Sequence, residues 1–140
     1  MKKYCLHALV CLLIAFTACK KDGDKISQTT ISGKWSVVSD STFTGVGYSS
    51  HAVNYMGQAG DYFDFRADGN VYTKEGPVLD TLSYHLVSGN EIVIASFGIV
   101  GNGVPEVSHI TAFNSHTLTI QAAVVITPGG QFGRKIYLKR

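Results

Sequence analysis

The chain reads as all-β, an eight-stranded up-and-down antiparallel barrel closed at one end, and three observations predict it. From Gly33 onward no stretch carries a helical period, and short runs rich in β-branched and aromatic residues are punctuated by turn residues. Within those runs apolar and polar residues alternate, as half-buried strands require. The connections then sort by length. Ala67-Asp68-Gly69-Asn70, Ser88-Gly89-Asn90 and Asn114-Ser115-His116 are short, whereas Thr44 to Gly60, Gly98 to Glu106 and Ile126 to Gln131 are longer and Gly76-Pro77 is grouped with them. Alternate turns of a meander lie at opposite ends, so this pattern describes a barrel with a closed base and an open mouth.

Eight strands follow in order. They run from Lys34 to about Phe43, Asp61 to Arg66, Val71 to Glu75, Val78 to Val87, Glu91 to Phe97, Val107 to Phe113, Thr117 to Val125 and Phe132 to Leu138. In the second, Phe63 and Phe65 oppose Asp64 and Arg66; in the fourth, Leu82, Tyr84 and Leu86 oppose Ser83 and His85. In the seventh, Leu118 and Ile120 oppose Thr117, Thr119 and Gln121. The hairpin at Asp68-Gly69 places a glycine where positive φ is needed. Asp68-Gly69-Asn70 lacks the further ligands of a calcium loop and serves as a turn.

The N-terminus has a different character. Lys2 and Lys3 precede an apolar run from Tyr4 to Phe16, and Phe16-Thr17-Ala18 leads into Cys19. A basic start, a short apolar core and small residues before a cut site make a secretory signal over residues 1–18. The run is too short to span a bilayer, which takes roughly 20 apolar residues. Residues 19–32 are mostly polar and read as a flexible tether, and residues 33–140 as the barrel domain.

Removing the signal takes two lysines and two of three cysteines with it, leaving ten Lys+Arg against ten Asp+Glu in the mature chain. A formally neutral domain gives no basic surface for nucleic acid. The exported part, with Cys19 its only thiol, rests on its apolar core rather than on disulfides.

Two resemblances sharpen this. Phe16-Thr17-Ala18-Cys19 resembles the lipobox of bacterial lipoproteins, which implies acylation of Cys19 (palmitate among the chains) and anchorage to the bacterial outer membrane, on its periplasmic or cell-surface side. Ser32-Gly33-Lys34-Trp35 opens the first strand and Lys139-Arg140 ends the last, while Phe63 to Tyr72 reads Phe-Asp-Phe-Arg-Ala-Asp-Gly-Asn-Val-Tyr. Together they are similar to lipocalin-like domain lipoproteins of Bacteroidetes-type bacteria. That resemblance implies a structural base in which Trp35 plugs the barrel beside Gly33, under a cation from Arg140 or Lys139. It also implies a small apolar or amphipathic ligand in the mouth. The alternative is a solid barrel whose loops meet a protein or glycan partner.

The candidate ligand-binding residues are Tyr48 and Tyr55 in the first long connection, Phe63, Phe65 and Tyr84 inside the barrel, and Phe97 near the mouth, since pockets are lined by aromatic groups. His51, His85, His109 and His116 form no close pair, so no metal site and no cofactor are expected. Ser49, Ser50 and His51 lack a nucleophile-elbow context, and Asp61 and Asp64 point to opposite faces of a strand. The expected class is a non-enzyme.

Overall fold

A computed structural model describes residues 25–45, 51–98, 107–128 and 130–140. The signal segment, Cys19 and Tyr48 lie outside the described residues. The chain folds as β1 (Gly33–Gly45), β2 (His51–Met56), β3 (Tyr62–Phe65), β4 (Asn70–Glu75), β5 (Val78–Ser88), β6 (Glu91–Ile94), β7 (Ser108–Phe113), β8 (Thr117–Gln121), β9 (Val125–Thr127) and β10 (Gly130–Lys139). All pairings are antiparallel, and β10 returns to β1 and closes the sheet. Eight strands, β1, β3 to β8 and β10, make an up-and-down barrel compatible with a lipocalin-like fold.

Two further strands correct the expected loops at the mouth. The connection expected from Thr44 to Gly60 contains β2, and that from Ile126 to Gln131 overlaps β9 and the start of β10. Both are edge strands. β2 pairs with the far half of β1, from Ser39↔Met56 to Thr44↔His51, and β9 pairs with the near half of β10. The order β2-β1-β10-β9 therefore continues one wall above the barrel rim. Gly76-Pro77, expected among the looser connections, is a two-residue turn between β4 and β5.

A bulge makes the exchange of partners possible. The register of β1 against β10 shifts between Val37 and Ser39, so Val38 is an extra residue. On its other edge β1 pairs with β3 before this point and with β2 beyond it. The turn between β2 and β3 is bonded into the gap by Gly57 N–H to the Val38 carbonyl at 3.0 Å and Val37 N–H to the Asp61 carbonyl at 3.2 Å. A Cβ on Gly57 would stand 2.0 Å from the Val37 carbonyl oxygen, so only glycine fits here.

Alternation places the core as expected on most strands. Phe63, Phe65, Val71, Tyr84, Ile92, Ile94, Leu118, Ile120, Ile136 and Leu138 are buried inside the barrel. Phe65 meets Tyr84 edge-on at 5.1 Å, and the Tyr84 hydroxyl donates to the Arg66 carbonyl at 2.9 Å. Leu82 and Leu86 are only half-buried against this cluster. The strand expected over Glu91 to Phe97 stops at Ile94; Ala95 to Phe97 turn away, with Phe97 still buried.

The base is built as a plug. Within the stretch expected to be tether, residues 28–31 form a helical turn, α1 (Gln28–Ile31), capped reciprocally by Ser27 and Thr30. Its Ile31 is fully buried. Trp35 is also fully buried and its Nε1–H donates to the Ile31 carbonyl at 2.8 Å. The Arg140 guanidinium lies 3.8 Å from the Trp35 ring centre, donating to the Ile31 carbonyl at 3.1 Å and to that of Ser32. Gly33 adopts φ +106°, and a Cβ there would come within 3.4 Å of Arg140 Nη2. Arg140, not Lys139, is thus the cation over the tryptophan. Burial lowers the guanidinium pKa from its ordinary value.

Candidate functional site

Below the rim the described strands turn buried apolar side chains inward; at the rim the lining turns polar. Beyond the bulge the inward parity of β1 passes from Trp35 and Val37 to Asp40, which is buried. On β4 the inward series Val71, Thr73 ends in Glu75 at the mouth. On β10 the series Leu138, Ile136 ends in Arg134. Three charged side chains from three strands therefore converge where the apolar core stops.

Their geometry is specific. Arg134 Nε–H donates to Asp40 Oδ2 at 2.8 Å, Nη2–H to the same oxygen at 2.5 Å, and Nη2–H to Glu75 Oε2 at 2.9 Å. The guanidinium also lies 4.6 Å from the centre of the buried Phe97 ring. Two carboxylates thus share one cation. Burial first, then the negative charge of Asp40, pushes the Glu75 pKa up to about 7, against the opposing pull of Arg134. Asp40 Oδ1 and Glu75 Oε1 are buried without a hydrogen-bond partner.

A second acid braces the rim beside this trio. Asp61 is buried and accepts from the Tyr55 hydroxyl at 2.5 Å, from Gln58 N–H at 2.8 Å and from Gly76 N–H at 3.0 Å, with Lys74 Nζ at 3.7 Å. One carboxylate ties β2, the β2–β3 turn and the β4–β5 turn together. These donors, the Tyr55 hydroxyl foremost, hold the Asp61 pKa below its ordinary value, and the bond to Asp61 raises that of Tyr55 to about 12.

Over the trio opens a pocket of about 400 Å³ lined by Asp40, Thr42, Tyr55, Glu75, Pro77, Val78 and Arg134. Two other concavities lie elsewhere. One of about 560 Å³ at the base is bordered by α1, Phe113 and Arg140, and one of about 480 Å³ lies on the outer face of β3 to β5. Among these three, the mouth pocket alone includes the two buried polar atoms that lack partners.

Of the residues singled out from sequence, Tyr55 lines this pocket and Phe97 lies beneath its arginine. Phe63, Phe65 and Tyr84 sit in the packed core, with Tyr84 bonded toward the base. His85, His109 and His116 are exposed and apart from the mouth cluster. Asp40, Glu75 and Arg134 were not among the sequence candidates. Glu75 and Arg134 could have been found as charges on the inward parity of Val71–Thr73 and Ile136–Leu138, whereas the bulge at Val38 hides the parity of Asp40. The sequence matches no protein-family model and no curated protein.

Proposed function

We propose that the chain is an exported lipoprotein, anchored to the bacterial outer membrane through lipid on Cys19, whose lipocalin-like barrel binds a small amphipathic molecule at its mouth. The signal-like N-terminus and the small residues before Cys19 support the anchor. The observation that carries the binding reading is the mouth pocket, where Pro77 and Val78 offer apolar surface beside the buried Asp40 and the half-buried Glu75. The buried apolar cluster below sets the depth: the ligand lies across the rim rather than down the barrel axis. The role is binding rather than catalysis.

The cluster of buried apolar side chains in the lower barrel favours a second reading, in which the barrel is solid, the domain is an interaction lipoprotein and its loops meet a protein or glycan. Native mass spectrometry of the protein from its own host separates the two. A retained small molecule, lost in Val78→Asp, supports mouth binding. Its absence from every preparation supports the second reading.

A further inference from the structure

The charges in the mouth do not balance, and the imbalance has a direction. Arg134 is committed to Asp40 and Glu75 and stacked on Phe97. Lys74 is turned to Asp61. The pocket lining therefore offers no free cation to a carboxylate or phosphate. It offers instead two buried acceptor atoms without donors, Asp40 Oδ1 and Glu75 Oε1, with Asp40 only 7 % exposed. Among the described residues that line the pocket, Arg134 is the one Lys or Arg. Buried acceptors left unmatched cost about 1–3 kcal/mol each, more when charged, so an N–H or O–H donor belongs between them.

We propose that Asp40 and Glu75 form a site for one positive charge, occupied by a shared proton when the mouth is empty and by the ammonium group of an amphipathic amine when it is filled. The inference rests on the mouth-binding reading and names its ligand class. The two carboxyl groups bond to the same Arg134 nitrogen, each keeps one buried oxygen without a donor, and the negative charge of Asp40 favours a proton on Glu75. An arriving ammonium brings its own N–H donors, and the shared proton leaves to water. The apolar stem then lies on Pro77 and Val78. The groups facing the pair are Thr42 from β1, Tyr55 from β2, Asp61 before β3 and Arg134 from β10, while His51 stands further along β2, opposite Thr44.

The test compares n-butylamine with butyrate, equal in stem and opposite in charge, on the full-length protein in zwitterionic detergent. Binding is followed by NMR at the Gly76 amide and Arg134 Nε–H. Because the proton competes with the amine and Glu75 titrates near 7, n-butylamine should bind roughly thirtyfold more tightly at pH 8 than at pH 5.5. Butyrate should not bind. In Glu75→Gln the side-chain amide supplies the missing donor to Asp40, and amine binding and its pH dependence should both disappear while the fold stays intact. Tighter binding of butyrate than of the amine would overturn the charge assignment and leave mouth binding standing. Binding of neither probe at any pH, with parallel thermal melts of wild type and Glu75→Gln from pH 5 to 9, would overturn both.

Discussion

Trp35→Ala should remove the largest single contribution to the closed base. The side chain is fully buried, so its truncation costs about 3–5 kcal/mol in lost burial and residual cavity. Two named contacts go with it: the bond from Nε1 to the Ile31 carbonyl and the Arg140 guanidinium 3.8 Å over the ring. The Ile31 carbonyl keeps its donor from Arg140, so no buried acceptor is orphaned, which holds the loss near about 4–5 kcal/mol rather than higher. Against a stability of about 5–15 kcal/mol, that is a large share. With a urea m-value of about 1.5 kcal/mol/M, the unfolding midpoint should fall by roughly 3 M. Trp35→Phe keeps most of the packing but loses the hydrogen bond and weakens the cation–π contact, for about 1–2 kcal/mol. A Trp35→Ala midpoint within about 0.5 M of wild type would refute the plugged base.

Other outcomes follow from the same geometry. Cys19→Ser should abolish palmitate labelling and leave uncleaved precursor; unchanged labelling would remove the membrane anchor from the account. Glu75 has a folded pKa raised to about 7, so its contribution is fully present below its ordinary value and is lost as pH rises through 7. Asp61, with its pKa lowered, contributes above its ordinary value and loses that contribution as pH falls. Thermal melts should therefore decline on both sides of a mildly acidic optimum, and Glu75→Gln should flatten only the alkaline side. Gly57→Ala should destabilise strongly, because the added Cβ meets backbone at 2.0 Å; a urea midpoint equal to wild type would show that the bulge and turn can part without cost.

The barrel was legible because its physics is local. Phe63 and Phe65, or Leu118 and Ile120, announce an inward face by simple alternation, and Asp68-Gly69 announces a hairpin whose Gly69 does adopt positive φ. Strands β2 and β9 were not legible, since each is an edge strand held by one neighbour. The signal for β2 is diluted by the glycines around it. Polar residues around Ile31 concealed a capped helical turn whose one apolar side chain closes the base. At the mouth, Tyr55 was found for its ring, although its hydroxyl is what the structure uses to brace Asp61. Asp40, Glu75 and Arg134 emerge only when a bulge and three strands distant in sequence bring them together. Phe97, expected to serve ligand binding, is buried under Arg134, so its truncation should also destabilise.

The most direct measurement of the central claim is a hydrogen-exchange map of the protein with and without the small amphipathic molecule proposed to bind at its mouth. The chain enters β1 at the plugged base, so a lipid on Cys19 would hold the base toward the membrane and turn the mouth away from it. Protection on binding should then appear along Tyr55, Gly76, Val78 and Arg134, with the hairpins around Gly69, Gly89 and Ser115 unchanged. Protection confined to those three base hairpins would contradict the site, its orientation and the binding role assigned to the mouth.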